Sequence, residues 1–316
     1  MPPPARSTLG LVHEVVVKRR MGEADIAELS KLIEAASHAD GHRALGEHKW
    51  LDLVQGGREG FAGFVATEAA GRRRVIGYAQ LSRGTDSWAV EYVVHPQWRS
   101  EPRLRTDLVG AALAEIAAEG GGHVHVWVPK PSSDDDAVAA TVGLQKGRDL
   151  YQMRRPLPVE DMHSTVSTRP FLPGKDEDAW LEVNNRAFRG HPEQGSWTRQ
   201  DLEDREQQPW FDPEGFLLHE IGGKLAAFCW TKVQDDDHDS GEVGEIYVIA
   251  VNPDFQRRGL GKELVLAGLE HLSSVGMEKA MLYVDRDNEE ARALYRGLGF
   301  YDDHVDRAYT GDVKPA

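Results

Sequence analysis

A single cysteine, Cys229, occurs in the 316 residues, so no disulfide can form within the chain. It lies in the apolar run Leu225 to Trp230, which reads as a strand, and a buried inert thiol is expected there rather than a nucleophile. No apolar run approaches the ~20 residues needed to cross a bilayer. The opening MPPPARSTLG also lacks the apolar centre of a secretory signal, so a cytoplasmic protein without a membrane partner is expected. Positive charge is scarce: 37 Lys and Arg stand against 52 Asp and Glu, a formal charge of −15. That balance disfavours a nucleic-acid surface and means that any anionic ligand must be held by a local device. The 13 histidines include no HExxH or similar spacing, so no metal is expected, and the acidic run Asp235 to Asp239 reads as a solvated loop.

What is present is ordinary globular composition, with 40% apolar and 28% charged residues, in a chain longer than one core of about 150 residues. The chain also repeats itself. In the first half, a strand-like run ending Tyr92-Val93-Val94-His95-Pro96 leads through a turn into a helix with Leu108, Val109, Ala112, Leu113 and Ile116 on one face. The strand Val124 to Val128 follows. In the second half, Ile246 to Val251 runs through Asn252-Pro253 into a helix with Leu264, Val265, Leu269 and Leu272 on one face, then the strand Ala280 to Val284. Placing Pro96 on Pro253 aligns Gly143-Leu144 with Gly299-Phe300. Alternating strands and helices in each half predict an α/β or α+β fold of two tandem domains, each a mixed twisted sheet flanked by helices. The proline-rich segment Arg155 to Pro173 reads as an exposed joint, giving domains 1–155 and 166–316 about a linker at 156–165.

The chemistry concentrates in the second half. Gln256-Arg257-Arg258-Gly259-Leu260-Gly261 lies between a β-branched strand and an amphipathic helix. Glycines let backbone approach an anion, and the N–H groups and dipole of a helix's first turn can bind a pyrophosphate. No Gly-Lys-Ser/Thr follows and GxGxxG is absent, which disfavours nucleotide hydrolysis and dinucleotide binding. Further on, Asp287 and Glu290 offer a capping box for a helix carrying Tyr295 and ended by Gly299.

The loop and the DNxxAxxxYxxxGF pattern of Asp287 to Phe300 resemble the GCN5-related N-acetyltransferases, in which the loop holds the coenzyme A pyrophosphate. The resemblance implies acetyl-CoA as co-substrate. It places Ile249, Ala250 and Val251 against the thioester, with Gln256, Arg257, Arg258, Gly259, Leu260, Gly261 and Lys262 on the pyrophosphate. Asn288, Glu289, Glu290, Ala291, Arg292 and Ala293 would border the pantetheine arm. Glu245, at the start of the strand, becomes the general base, since an amine of pKa near ~8 must lose a proton before it attacks. Tyr295 becomes the acid for the leaving thiolate. In the first half the matching positions are Trp88 and Ala139, and the loop Arg99-Ser100-Glu101-Pro102-Arg103-Leu104 has no glycine, so that half is expected to be non-catalytic.

The segments 184–188, 190–195, 210–213 and 230–233, with the tandem layout, are similar to the mycothiol synthase family. Its members acetylate the cysteinyl amine of desacetylmycothiol, a cysteinyl-glucosaminyl-inositol. That resemblance implies a small-molecule acceptor held by Glu47, Glu193, Lys232, Glu245 and Tyr283, with Tyr92, Val93 and Val94 beside a coenzyme groove in the first half, and a monomer. A transferase for another small amine or a protein N-terminus, and a non-catalytic acetyl-CoA sensor, are the alternatives: the loop fixes the donor and not the acceptor.

Overall fold

The structure is a computed structural model and describes residues 13–57, 60–69, 74–84, 87–191, 194–235 and 241–316. The chain forms two compact units. One holds 13–83, 87–147 and 307–316, and the other holds 148–306.

In the first unit β1 (His13–Lys18) is followed by α1 (Glu23–Asp40) and α2 (Glu47–Val54), then by β2 (Ala62–Glu68), β3 (Val75–Arg83) and β4 (Trp88–Val94). After α3 (Leu104–Ala118) come β5 (Gly122–Pro129) and α4 (Ser133–Thr141). Strands β1 to β4 pair antiparallel in sequence order, and β5 joins β4 in parallel, as a crossover through α3 requires. The apolar face of α3, with Leu108, Val109, Ala112 and Ile116 all buried, packs on that sheet.

The second unit begins inside β6 (Gln145–Pro156) and continues with β7 (Arg169–Pro170), α5 (Glu177–Ala187), α6 (Arg199–Glu206), β8 (Phe216–Ile221), β9 (Lys224–Asp235) and β10 (Glu242–Val251). It then runs through α7 (Leu260–Ser274), β11 (Lys279–Asp285), α8 (Glu289–Gly297) and the start of β12 (Tyr301–Val313). Its sheet runs β7-β8-β9-β10-β11-β6-β12, with β10 and β11 parallel. One face is covered by α7 and α8 over Cys229, Ile246, Ala280, Leu282 and Met153. Gly268 lets α7 lie close, because a Cβ there would fall 2.6 Å from the Cys229 sulfur and 2.8 Å from Ile246 Cδ1. The other face carries α5 and α6 over an aromatic cluster of Trp180, Trp197, Phe216, Phe228 and Trp230. The two α/β units share one plan: strand, 3₁₀ turn, 15-residue helix, strand and nine-residue helix recur in each.

Four details differ from the sequence reading. Residues 148–156 do not close the first unit; they form a strand beside β11, with Tyr283 opposite Gln152 and Met281 opposite Arg154. Conversely, residues 307–313 of β12 belong to the first unit. The proline-rich segment is a strap and not an exposed joint. Leu157, Val159, Met162 and Val166 pack on the second unit's core, while Glu263 and Glu270 of α7 accept from the backbone N–H groups of Thr165 and Ser164. Finally, α8 is capped one residue later than the pattern suggested, by Asn288, whose side-chain oxygen accepts from Ala291 N at 3.1 Å. No helix among the described residues is long and apolar enough to cross a membrane.

The assignment of 307–313 to the first unit rests on packing that can be tested. Tyr309 is 2% exposed in that unit's core, and its hydroxyl donates to Asp136 at 2.8 Å. Tyr309→Ala is expected to lower stability by about 3–5 kcal/mol, as for other buried aromatic truncations, measured by urea unfolding. A loss under about 1 kcal/mol would mean that the last strand contributes little to that core.

Candidate active site

In the second unit, β9 pairs with β10 from Glu242 to Val251, but the register shifts between Ile246 and Val248 and leaves Tyr247 as an extra residue. A bulge of this kind bends and twists its strand. On the other side, the ladder from β10 to β11 covers only Gly244 and Glu245. Beyond that point a parallel seam opens alongside Ile249, Ala250 and Val251, the segment expected to face a thioester.

The seam leads to the loop. Asn252 ends β10, its side chain accepting from Asp254 N and donating to Leu225 O. After the turn Pro253–Phe255, Gln256, Arg257, Arg258 and Gly259 are exposed ahead of α7. Arg257 sits at φ +63° and Gly259 at +78°, so the loop is wound through left-handed backbone just before a helix N-terminus. Nothing lies within 4 Å of the position a Gly259 Cβ would take. That glycine therefore answers a backbone need and not crowding, and leaves the space above the helix start open. Two loop guanidiniums and Lys262 supply positive charge in a chain that is otherwise strongly acidic. A pyrophosphate fits this donor set.

Side chains alternate along strands, so register decides which residues share a face. Glu245 lies opposite Lys232 on β9 and Met281 on β11, and β11 continues on that face to Tyr283. Glu245 is 7% exposed and Lys232 3%. The Lys232 ammonium stands 4.4 Å from the centre of the Trp210 ring and 5.2 Å from that of Tyr247, two π-faces that favour a desolvated cation. Arg205, itself buried, donates to the Tyr247 hydroxyl at 2.9 Å and stacks 4.0 Å from Trp197. The bulge thus contributes a ring to the lysine's surroundings. Nearby, Arg148 pairs with Asp285 at 2.7 Å. Burial, with the Arg148 guanidinium adding to it, pushes His191 down to about 4, so its ring is neutral at physiological pH.

Tyr295 comes from the other side of the sheet. It packs on α8 in the core with Cys229, Ile246 and Phe300, and burial holds its phenol well above the usual range. Burial likewise keeps the Cys229 thiol protonated and inert. Glu245 and Tyr295 therefore lie on opposite faces of the sheet. Asn288, Glu289, Glu290, Ala291, Arg292 and Ala293 form the first turns of the helix that carries Tyr295. Glu47 belongs to the first unit, where it opens α2, and Glu193 lies outside the described residues. No cluster suited to a metal ion occurs among the described residues.

The first unit repeats the frame without the bulge. β3 and β4 pair without a shift from Gly77 to Arg83, and the β4 to β5 ladder runs from Trp88 to Glu91. The loop arginine Arg99 is held by both oxygens of Asp40, at 2.5 and 2.7 Å. Tyr92, expected beside a groove with Val93 and Val94, donates to Asp135 at 2.8 Å and lines a cavity of only about 10 Å³.

A bulged strand, a splayed parallel seam and a glycine loop at a helix start define a GCN5-related N-acetyltransferase, an enzyme that uses an acyl-CoA. The acetyltransferase (GNAT) family model matches residues 178–300. The chain is 41% identical over 300 residues to the mycothiol acetyltransferase of Thermobispora bispora, covering 93% of this chain and 99% of that one. It is 43% identical over 291 residues to the mycothiol acetyltransferase of Streptomyces coelicolor, covering 90% of each. The chain belongs to the mycothiol acetyltransferase family. In fold it is similar to a GCN5-related N-acetyltransferase from Sphaerobacter thermophilus, with TM-score 0.67, 23% identity and 96% of each chain covered. A tandem GNAT protein from the clavulanic acid biosynthesis pathway has the same fold, with TM-score 0.68 and 15% identity over 96% of this chain and 99% of that one.

The loop's role can be tested at its glycine. Gly259→Ala forces a Cβ into left-handed backbone at a cost of about 1–2 kcal/mol. It is expected to weaken acetyl-CoA binding about 10-fold in calorimetric titration while the fold persists. Unaltered affinity would remove the loop from the binding site.

Proposed function

We propose that this chain transfers the acetyl group of acetyl-CoA to the cysteinyl amine of desacetylmycothiol, giving mycothiol and coenzyme A, and that the second unit carries out the chemistry. The observation that carries the reading is the placement of Glu245, buried beside Lys232, at the point where β10 parts from β11. The names of the relatives, at about 40% identity over most of the chain, support the acceptor.

Acetyl-CoA supplies an activated acyl carbon and a thiolate leaving group. The loop Gln256 to Lys262 holds its pyrophosphate, and the unladdered edge of β10 at Ile249 to Val251 offers backbone groups to the pantetheine and thioester. Asn288 to Ala293 border the arm. Glu245 accepts the amine proton, directly or through a water, as the nitrogen forms its bond to the acetyl carbon. Carbon–sulfur cleavage then leaves a thiolate. Tyr295 is protonated at neutral pH because burial disfavours its phenolate, and it gives the proton that completes the thiol. One amide bond forms, one thioester bond breaks, and one proton moves from nitrogen to sulfur.

Lys232 and Tyr283 present donors to the acceptor's hydroxyls, a pattern that penalises ligands lacking them. For Glu47 and Glu193 the reading rests on family resemblance alone. The first unit is non-catalytic: Trp88 and Ala139 stand where the second unit has Glu245 and Tyr295, and Tyr92 is engaged with Asp135.

Release of coenzyme A on mixing the protein with acetyl-CoA and desacetylmycothiol tests the reaction, and no release would reject the acceptor. Glu245→Gln is expected to lower turnover by ~10²–10⁴-fold with acetyl-CoA affinity retained; undiminished turnover would reject Glu245 as the base. Calorimetry should find one tight acetyl-CoA site per chain, with any site in the first unit at least about 10-fold weaker, a difference of about 1.4 kcal/mol.

A further inference from the structure

The second unit's polar face extends beyond the residues assigned above, onto β6. Gln152 and Arg154 lie on the same face as Tyr283 and Met281, their partners in the β6 to β11 ladder, and Met281 is itself opposite Glu245. Gln152 is 1% exposed and Arg154 4%, whereas Tyr283 is 38% exposed. Buried polar groups of this size are kept where their hydrogen bonds are made, and here the bonds have a direction. Arg154 Nε donates to Gln152 Oε1 at 2.8 Å, and Gln152 Nε2 donates to the Tyr283 hydroxyl at 2.8 Å. A guanidinium can only donate, so the amide oxygen must face Arg154 and the amide nitrogen must face Tyr283. The alternative amide orientation would set two donors against each other.

We propose that Arg154 and Gln152 are positioning residues for the acceptor: they occupy the lone pair of Tyr283 that faces β6 and so commit its O–H as a donor to an acceptor hydroxyl oxygen beside Glu245. This rests on the reading of the site as an acetyltransferase for a polyhydroxylated amine. Arg154 is itself steadied by Asp303, whose carboxylate lies 3.9 Å from Arg154 Nε and 2.7 Å from His304 Nδ1. The relay therefore starts from a fixed charge and ends at an exposed hydroxyl. It gives directional discrimination, since a group that can only donate must compete with Gln152 for the Tyr283 oxygen.

The test is Gln152→Glu. A carboxylate still accepts from Arg154 but cannot donate to Tyr283, so the tyrosine proton turns toward residue 152 and away from the acceptor. The KM for desacetylmycothiol is expected to rise by about 5–10-fold, the worth of one neutral hydrogen bond, with kcat and the KM for acetyl-CoA within about twofold. Tyr283→Phe should raise the same KM comparably, and adding Gln152→Glu to it should raise it no further, because the two changes remove one interaction. Additive effects, or an unchanged KM in Gln152→Glu, would overturn the relay. Gln152→Met, which deletes the donor without adding charge, should show the same non-additivity with a smaller rise and serves if the glutamate variant does not fold. The Raman Fermi doublet of Tyr283, obtained by difference from Tyr283→Phe, reports whether the phenol accepts or donates without needing an acceptor. It should move toward the donating limit in Gln152→Glu, and no shift would also overturn the relay. A shift in that doublet without turnover of desacetylmycothiol by the wild-type protein would support the relay and reject the acceptor.

Discussion

The extra residue at Tyr247 is the constraint on which the second unit's site depends. A regular β10 could keep its parallel ladder to β11 beyond Glu245, and its backbone groups would be spent within the sheet. With one residue inserted between Ile246 and Val248, β10 stays paired to β9 but leaves β11 after two residues. A strand edge that is unladdered on one side and rigid on the other can pair with an extended ligand arm as if with another strand. The same insertion brings the Tyr247 ring to the Lys232 ammonium, and Arg205 holds that ring through its hydroxyl. One backbone irregularity thus lies where the seam begins and helps to set the charge beside it.

The first unit serves as a natural comparison because it keeps the frame and drops the irregularity. Both units place a 3₁₀ turn after the strand, capped by His95 in one and Asn252 in the other, and both continue into a 15-residue helix. Without a bulge, the first unit's parallel ladder extends over four residues, and without a glycine its loop enters α3 through Arg103 in right-handed backbone. One of its loop charges is also engaged, since Asp40 takes both arms of Arg99. On the proposed reading, three local features of the second unit, an inserted residue, a left-handed turn and exposed basic side chains, set its frame apart from the first unit's.

These features differ in how far they can be read from sequence. The repeat, the glycine loop and the Tyr295 helix are local patterns of fixed spacing, and the structure has the corresponding elements at those places. The bulge leaves no such mark, because Tyr247 in a β-branched run looks like any other strand residue; only the partner strand reveals that two residues oppose one. Residues 148–156 are the larger omission. A linear division gives them to the first domain, yet their register with β11 puts Gln152 and Arg154 on the polar face. Strand partners far apart in sequence are set by packing, which a single sequence does not encode locally. The proline-rich strap at 155–173 misleads for the opposite reason: its prolines signal irregular backbone, but irregular backbone can still pack alternate side chains on a core, as Leu157, Val159, Met162 and Val166 do.

A last consequence concerns the buried charges. Taking an ammonium and a carboxylate out of water costs several kcal/mol each unless they are compensated, and Lys232 and Glu245 sit directly across from one another on neighbouring strands, where opposite charges favour each other. On the proposed mechanism, however, Glu245 becomes neutral when it takes the amine proton, and Lys232 then loses part of its compensation at the moment of reaction. The faces of Trp210 and Tyr247 do not titrate, so their attraction for the ammonium persists through that change. The aromatic walls can thus hold the lysine in place in both protonation states of the base, which a second carboxylate could do only by adding negative charge and raising the base's affinity for its proton. That difference gives a physical reason for lining a charged site with rings instead of more acids in a chain that has acids to spare.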